Sequence, residues 1–463
     1  MTSERSENVI LAAWERTLRE QGSRPAVIDP SGKILRTFAE IEAQTGDCAR
    51  LVEELPSRTV VALRLGNSAS WPALLLALFR RELIPLPLGL HLEGAELATA
   101  LETCGVDALI EADGEKLRVH RQPVASNRPA PETDFLKITS GTSGAPRAVR
   151  FRAPQLLADC ENICKTMGLG SDDLNYGAIP LSHSYGFSNL LTPLLCRGVP
   201  LVVTDDRLPR AILDGLERTG ATIFPGTPVL FEKLADLENA SAPSRLRLCI
   251  SAGAPLRPAI GRRFTERFGL KIHTFYGASE CGGIGYDASG DTEYIEGFVG
   301  TALAGVQITP RADGRIEVRG AAVGDGYFPE SSAALGEGCF VPDDFVSQGD
   351  RGMTIVGRAS DVINVAGRKL NPADVEQRLR GCPGVRQAVV FGVPSSLRGE
   401  EAVACIVGEG IDRESVLRFC RANLSQWQVP RDIWLVREIS TNERGKISRR
   451  ALAEKYRSLR ERG

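Results

Sequence analysis

Apolar runs of strand length alternate with amphipathic runs of helix length along much of this chain, and that alternation restricts the fold more than any other feature. "TVVALRL" (59–65) leads to a helical "WPALLLALFRR" (71–81), then "LIPLPLG" (83–89), a helical "EGAELATALETCG" (93–105) and "DALIEA" (107–112). Strand-length runs return at "VPLVVTD" (199–205), "ATIFPG" (221–226) and "LRLCISAG" (246–253), each running into a Gly, Pro or Thr turn. The pattern predicts mostly parallel sheets covered by helices. In open α/β sheets ligands sit at the carboxyl-end turns, so function is to be sought there.

At 463 residues the chain exceeds what one hydrophobic core organises, and two or more domains are expected. From about Gly297 the texture changes to short strands and turns, "VQITPRADGRIEVRG" (306–320), which predicts a small β subdomain. After "GRASD" (357–361) a different unit begins. Asn371 as cap and Pro372 at the first helical position start a helix through "ADVEQRLRG" (373–381). Strands "RQAVVFGV" (386–393) and "EAVACIVG" (401–408), a helix "RESVLRFCRANL" (413–424) and a last strand "DIWLVREI" (432–439) follow. The fold class is therefore α/β: a large N-terminal domain of helix-covered, mostly parallel sheets with a small β subdomain, then a small α+β C-terminal domain.

Several function classes fall away on composition. A net charge of -2 argues against bulk binding to nucleic acid or anionic lipid, so any partner is found by a site. The N-terminus, "MTSERSENVI", has neither the basic region nor the apolar core of a signal peptide. The longest apolar run, 71–79, stops at Arg80 and Arg81 and reads as a buried helix, not a transmembrane segment. A cytoplasmic protein is expected. The 11 cysteines are scattered without a C-x-x-C pair, which predicts buried thiols, and the four histidines include no H-E-x-x-H pattern for zinc.

Five turns carry residues with chemistry. "TSGTSGAPR" (139–147) is neither a Walker loop, since only two residues separate Gly141 from Gly144 and no Gly-Lys follows, nor a hydrolase elbow, since Ser143 lacks the G-x-S-x-G frame. Its backbone donors, hydroxyls and one guanidinium suit a polyphosphate, although a Ser/Thr/Gly run alone is equally a solvent linker. In "FYGASECGG" (275–283), Glu280 beside Ser279 can hold magnesium and a phosphate oxygen, or can be a solvated surface carboxylate. "SAGAPL" (251–256) has small residues that let a flat ring approach the backbone, as an ordinary strand-to-helix turn also does. Asp350 in "SQGDRG" (347–352) can accept from two ribose hydroxyls or serve the turn itself, and Lys446 in "NERGKISRR" (442–450) stands in a charged tail.

Taken in this order, the turns resemble the adenylate-forming superfamily of acyl-CoA synthetases, aryl-CoA ligases, peptide-synthetase adenylation domains and beetle luciferases. "TSGTSGAPRAV" (139–149) is similar to the family's phosphate loop and "PLSHSYG" (180–186) to its acid-pocket turn. "SAGAPL" and "FYGASE" are similar to its adenine and magnesium turns, and "QGDRG", "GRASDVINVAGRKLNPADVE" (357–376) and "RGKISRR" (444–450) to its ribose, hinge and catalytic-lysine segments. The resemblance covers nearly the whole chain and implies domains at 1–358 and 359–463, the second mobile and pivoting at Ser360.

The implied reaction has two steps: a carboxylate attacks the α-phosphate of ATP, giving an acyl-adenylate and pyrophosphate, and a thiol then displaces AMP to form a thioester. By resemblance Lys446, Glu280, Arg147 and His183 are catalytic, with Glu280 holding Mg2+. Thr139, Ser140, Gly141, Thr142, Ser143 and Gly144 wrap the phosphates; Gly253, Ala254, Pro255, Tyr276 and Gly277 receive the adenine; Ser279 stands where a threonine is expected. Asp350 holds the ribose, Arg358 assists from the hinge side, and Gly367 lies on the face that forms the thiol tunnel. Arg147 replaces the usual lysine, Gln348 a threonine and Ala302 a proline, and none of these removes a required group.

An amino-acid substrate is disfavoured, because the acid turn has His183, Ser184 and Tyr185 where an aspartate would meet the ammonium group. His183, Tyr185, Phe187, Phe224, Gly226 and Ile284 are expected to wall a fatty or aryl acid, with a purely structural His183 left open. The resemblance thus points to an ATP-dependent acid–thiol ligase using coenzyme A. The alternatives are loading of the phosphopantetheine of a separate acyl carrier protein and a weakly catalytic acyl or nucleotide sensor; an oxygenase of the luciferase type shares the fold and first step, but nothing in the sequence supports its light reaction.

Overall fold

The computed structural model describes residues 8–114, 116–123, 127–140, 146–395, 399–440 and 447–460, with Ser140 through its backbone only. Two compact units result. The first comprises the chain up to Thr309 with Glu317–Pro342 and Gly349–Met353; the second comprises Pro310–Ile316, Asp343–Gln348 and the chain from Thr354 onward.

The predicted alternation is present in the first unit. Its largest sheet places Pro25–Ile28, Leu201–Val203, Asn175–Gly177, Ile223–Gly226, Leu248–Ser251 and Ile272–Ala278 side by side, each parallel to the next. Strand Gly282–Tyr286 then folds back antiparallel onto Ile272–Ala278. Helices Pro209–Thr219, Pro228–Ala235 and Pro258–Phe268 start on prolines, whose fixed φ and missing N–H suit a first turn, and cover one face. The core between them is aromatic: Phe224, Phe231, Phe264 and Phe268 form a chain of rings with centroids 5.4, 5.2 and 4.8 Å apart.

A second sheet contains the early run as predicted, with Val60–Arg64 between parallel neighbours Ile84–Pro87 and Ala108–Asp113. Helix Trp71–Arg80 is buried over Trp71–Phe79, as its apolar sequence requires. A third sheet is antiparallel: Phe135–Ser140, Pro146–Phe151 and Gly326–Phe328. All eleven cysteines are free thiols and ten are buried. No helix among the described residues is long and apolar enough to cross a membrane.

The second unit is the expected α+β fold. Hairpin Ile363–Val365 and Arg368–Leu370 precedes helix Pro372–Arg380, whose cap Asn371 accepts from the Ala373 N–H at 3.3 Å. A long hairpin, Val385–Ser395 with Gly399–Gly408, carries helix Arg413–Asn423 and the parallel strand Asp432–Leu435. A further helix, Arg449–Arg460, follows the last predicted strand and buries Leu452 and Tyr456.

Candidate functional site

Strands Phe135–Ser140 and Pro146–Phe151 form a hairpin in which Thr139 lies opposite Arg147 and Ser140 opposite Pro146. The Thr139 hydroxyl donates to the Arg147 carbonyl at 3.3 Å, closing the base of the predicted phosphate loop. Gly141, Thr142, Ser143 and Gly144 lie outside the described residues. Arg147 points its guanidinium over the ring of Tyr327, 3.6 Å from the centroid, a cation–π geometry that leaves its buried Nε without a hydrogen-bond partner. An orphaned guanidinium donor beside a hydroxyl-rich loop is a fit for an anionic ligand such as a phosphate.

Tyr327 links this hairpin to the predicted magnesium turn, its hydroxyl donating to Glu280 Oε1 at 3.0 Å. The Glu280 carbonyl accepts from the Gly324 N–H at 2.9 Å, so backbone and side chain of Glu280 are both held by the Gly324–Tyr327 segment. The turn itself is the tip of the hairpin of Ile272–Ala278 with Gly282–Tyr286, where Gly277 lies opposite Gly283 and Ala278 opposite Gly282. Next to Glu280, Ser279 accepts a 2.8 Å hydrogen bond from Ser184, which ties the magnesium turn to the acid-pocket turn. One carboxylate with two hydroxyls is a hard-oxygen donor set, and the described residues contain no cluster of three or more ligating side chains. That composition suits a magnesium ion that takes further ligands from substrate phosphates.

The acid-pocket turn is compact. His183 caps the short helix Ser184–Gly186, its Nδ1 accepting from the Tyr185 N–H at 3.2 Å. A Cβ at Gly186 would stand 2.1 Å from the Pro180 carbonyl oxygen, so only glycine permits this fold-back. The Tyr185 hydroxyl donates to the Ile250 carbonyl at 3.0 Å, and burial pushes the phenol well above its ordinary pKa. Beneath the turn, buried Asn67 donates to the carbonyls of Gly177, Ile179 and Thr204 and accepts from the Leu181 N–H at 2.9 Å. Two of the expected wall residues are engaged in packing: Phe187 lies 4.5 Å from the Phe135 ring, and Phe224 joins the helix-covered core against Tyr176 and Phe231.

Gly253, at φ +89°, Ala254 and exposed Pro255 leave strand Leu248–Ser251 at its carboxyl end, where the Ser251 hydroxyl is buried without a partner. Tyr276 is buried while Gly277 is exposed. Asp350 is exposed, and its neighbour Arg351 pairs with Asp291 at 2.6 Å and Glu293 at 2.8 Å.

In the second unit Arg358 donates from Nε to Asp344 at 2.7 Å, and Gly367, at φ +83°, occupies the turn of the hairpin Ile363–Val365 and Arg368–Leu370. Lys446 lies outside the described residues; beyond it Arg449 pairs with Asp361 at 2.5 Å and Glu376 at 2.8 Å. Sequence reasoning did not find Tyr327 or Asn67. The first is marked only as an aromatic after two glycines in "GDGYF" (324–328), and the second by nothing short of the fold.

The family model described as AMP-binding enzyme matches residues 14–328, and the model described as AMP-binding enzyme C-terminal domain matches residues 374–446. A feruloyl-CoA synthase from Amycolatopsis sp is 27% identical over 481 residues, covering 94% of this chain and 97% of the relative. A long-chain-fatty-acid–CoA ligase from Bacillus subtilis is 28% identical over 350 residues, covering 70% of this chain and 62% of the relative. Among solved structures, ATP-bound MatB from Rhodopseudomonas palustris superposes with a TM-score of 0.83 at 23% identity, over 96% of this chain and 99% of that one. The match over most of the first unit and much of the second is decisive: this chain belongs to the AMP-binding enzyme family.

Proposed function

We propose that this protein is an ATP-dependent acid–thiol ligase that activates a fatty or aryl carboxylic acid and transfers it to coenzyme A. The observation that carries the reading is the continuous chain Ser184–Ser279–Glu280–Tyr327–Arg147, which joins acid turn, metal turn and phosphate hairpin. Relatives named for aryl and long-chain fatty acids support this substrate class. No carboxylate stands in the His183–Ser184–Tyr185 turn, so an ammonium group would lack a counter-charge there.

In this reading the acid's carboxylate attacks the α-phosphorus of ATP; an acyl-adenylate forms and pyrophosphate leaves. A thiol then attacks the acyl carbon, AMP leaves with the bonding pair, and a thioester remains. Arg147 and the Thr139–Gly144 loop track the leaving pyrophosphate, and Lys446 bridges the carboxylate and the α-phosphate. Glu280, with Ser279 beside it, would hold magnesium, which when bound neutralises phosphate charge. Gly253 to Pro255, Tyr276 and Gly277 receive the adenine, Asp350 the ribose; Arg358 assists at the nucleotide and Gly367 lies on the face that forms the thiol tunnel. His183 lines the acid turn, with Nδ1 accepting from backbone and the proton on Nε2. Catalysis rests on positioning and charge neutralisation.

The test is pyrophosphate release from ATP and magnesium across fatty, aryl and amino acids, each with and without coenzyme A. Release specific to one fatty or aryl class and accelerated by coenzyme A supports the ligase. Release indifferent to coenzyme A and accelerated by a phosphopantetheinylated carrier protein replaces the acceptor. No release with any acid overturns the reading.

A further inference from the structure

Behind the Glu280 turn lies a charged cluster that the proposed chemistry does not use. Lys137, on the strand that enters the phosphate loop, is 4% exposed and Asp159, on helix Ala153–Met167, is also 4% exposed. Lys137 Nζ stands 3.9 Å from Asp159 Oδ2 and donates to Ser188 Oγ at 3.3 Å. Ser188 in turn donates to Asp159 Oδ2 at 2.6 Å, and Asp159 Oδ1 accepts from the Gly283 N–H at 3.0 Å. The rings of Phe151 and Phe187 lie 4.8 and 5.4 Å from Nζ.

A buried ion pair is a poor route to stability, because desolvation of two charges offsets most of their attraction. Here burial lowers the Lys137 pKa, and Asp159, Cys281 and Glu280 act against that shift. What the cluster does achieve is connection. It joins the phosphate-loop strand through Lys137, the segment after the acid turn through Ser188 and the backbone beside Glu280 through Gly283. The fit is close: Gly282 is at φ +71°, and a Cβ there would stand 2.0 Å from Asp159 Oδ1.

We propose that Asp159 is a positioning residue for Glu280, its carboxylate clamping the backbone of the Glu280 turn while Lys137 and Ser188 hold that carboxylate in register with the phosphate-loop strand. The inference rests on the reading of Glu280 as the metal-facing carboxylate. Outer groups that orient a metal ligand are worth ten- to a hundredfold in metal affinity, which sets the expected scale.

The experiment compares two charge-neutral pairs. Lys137→Met with Asp159→Ala removes the clamp; Lys137→Met with Asp159→Asn keeps an acceptor for the Gly283 N–H. Mn2+ is titrated into each protein with a non-hydrolysable ATP analogue, free Mn2+ is followed by electron paramagnetic resonance, and steady-state kinetics are run in parallel. The clamp-less pair should bind Mn2+ about tenfold more weakly with an unchanged KM for the acid, and the asparagine pair should recover most of that loss. Wild-type Mn2+ affinity in the clamp-less pair, or equal losses in both pairs, overturns the proposal. Should the clamp-less pair fail to fold, Ser188→Ala is read instead: weaker Mn2+ binding at unchanged acid KM supports the clamp, and unchanged binding overturns it. A wild-type enzyme without metal-dependent nucleotide binding defeats the reading of Glu280 itself, which separates that failure from failure of the clamp.

Discussion

Glu280 and Asp350 are both acidic residues expected to meet the nucleotide, yet their surroundings are opposite. The Glu280 turn is gripped on three sides, by Tyr327 at its carboxylate, by Gly324 at its carbonyl and by buried Asp159 at Gly283. The Asp350 turn is exposed, and the ion pairs next to it, Arg351 with Asp291 and Glu293, lie at the surface. A charge that must sit within a coordination distance of a metal and a phosphate gains from a preorganised frame, since interactions there are strong and geometry-dependent. A carboxylate that accepts from flexible hydroxyls does not need one. The Glu280 turn is thus held by hydrogen bonds from three segments, and the Asp350 turn stands at the surface.

The sharpest way to break the comparison is to insert one methyl group into each turn. Gly282→Ala must adopt φ +71° and displace Asp159, and should cost about 3 kcal/mol in denaturant unfolding, with most pyrophosphate release lost. Gly349→Ala, whose Cβ would meet nothing nearer than the Gly352 carbonyl at 3.9 Å, should stay within about 0.5 kcal/mol of the parent. Equal effects would erase the distinction.

Next in size, Tyr327→Phe removes the hydroxyl from Glu280 but keeps a ring under Arg147, and should cost about 1 kcal/mol while raising the magnesium concentration needed for half-maximal turnover. Unchanged metal dependence would show that Tyr327 only packs. Arg351→Ala should change stability by less than about 0.5 kcal/mol, as surface ion pairs do. The smallest stability effect is expected for Asp350→Asn, which should leave unfolding unchanged and raise the KM for ATP about tenfold; an unchanged KM would remove Asp350 from the ribose site.

Much of the architecture was legible because burial writes its period into the chain. Val60–Arg64, Trp71–Arg80, Ile84–Pro87 and the parallel strands at 201–203, 223–226 and 248–251 all fall inside the apolar runs that predicted them. The closing helix Arg449–Arg460 was not legible, since it is dense in Arg and Lys and buries only Leu452 and Tyr456, one turn apart. At the site, Glu280, Ser279 and Arg147 stand out in the sequence as polar groups on small-residue turns, and His183 stands out only through the family resemblance. Tyr327, Asn67 and Lys137 do not, for one reason: their partners lie far along the chain, at Glu280, at Thr204 and at Asp159. A polar residue whose role is to join distant segments has no local signature. Phe224 shows the converse, an aromatic expected at the acid that the core claims.

The turns at Ser184, Ser279 to Glu280 and Arg147 are proposed to form one adenylation site. Exchange of labelled pyrophosphate into ATP tests it most directly, run on the wild type and on Glu280→Gln with the acid found in the substrate panel. Exchange should require a fatty or aryl acid and fall by about a hundredfold or more in Glu280→Gln. Exchange that proceeds without acid, or that Glu280→Gln leaves at the wild-type rate, would contradict it.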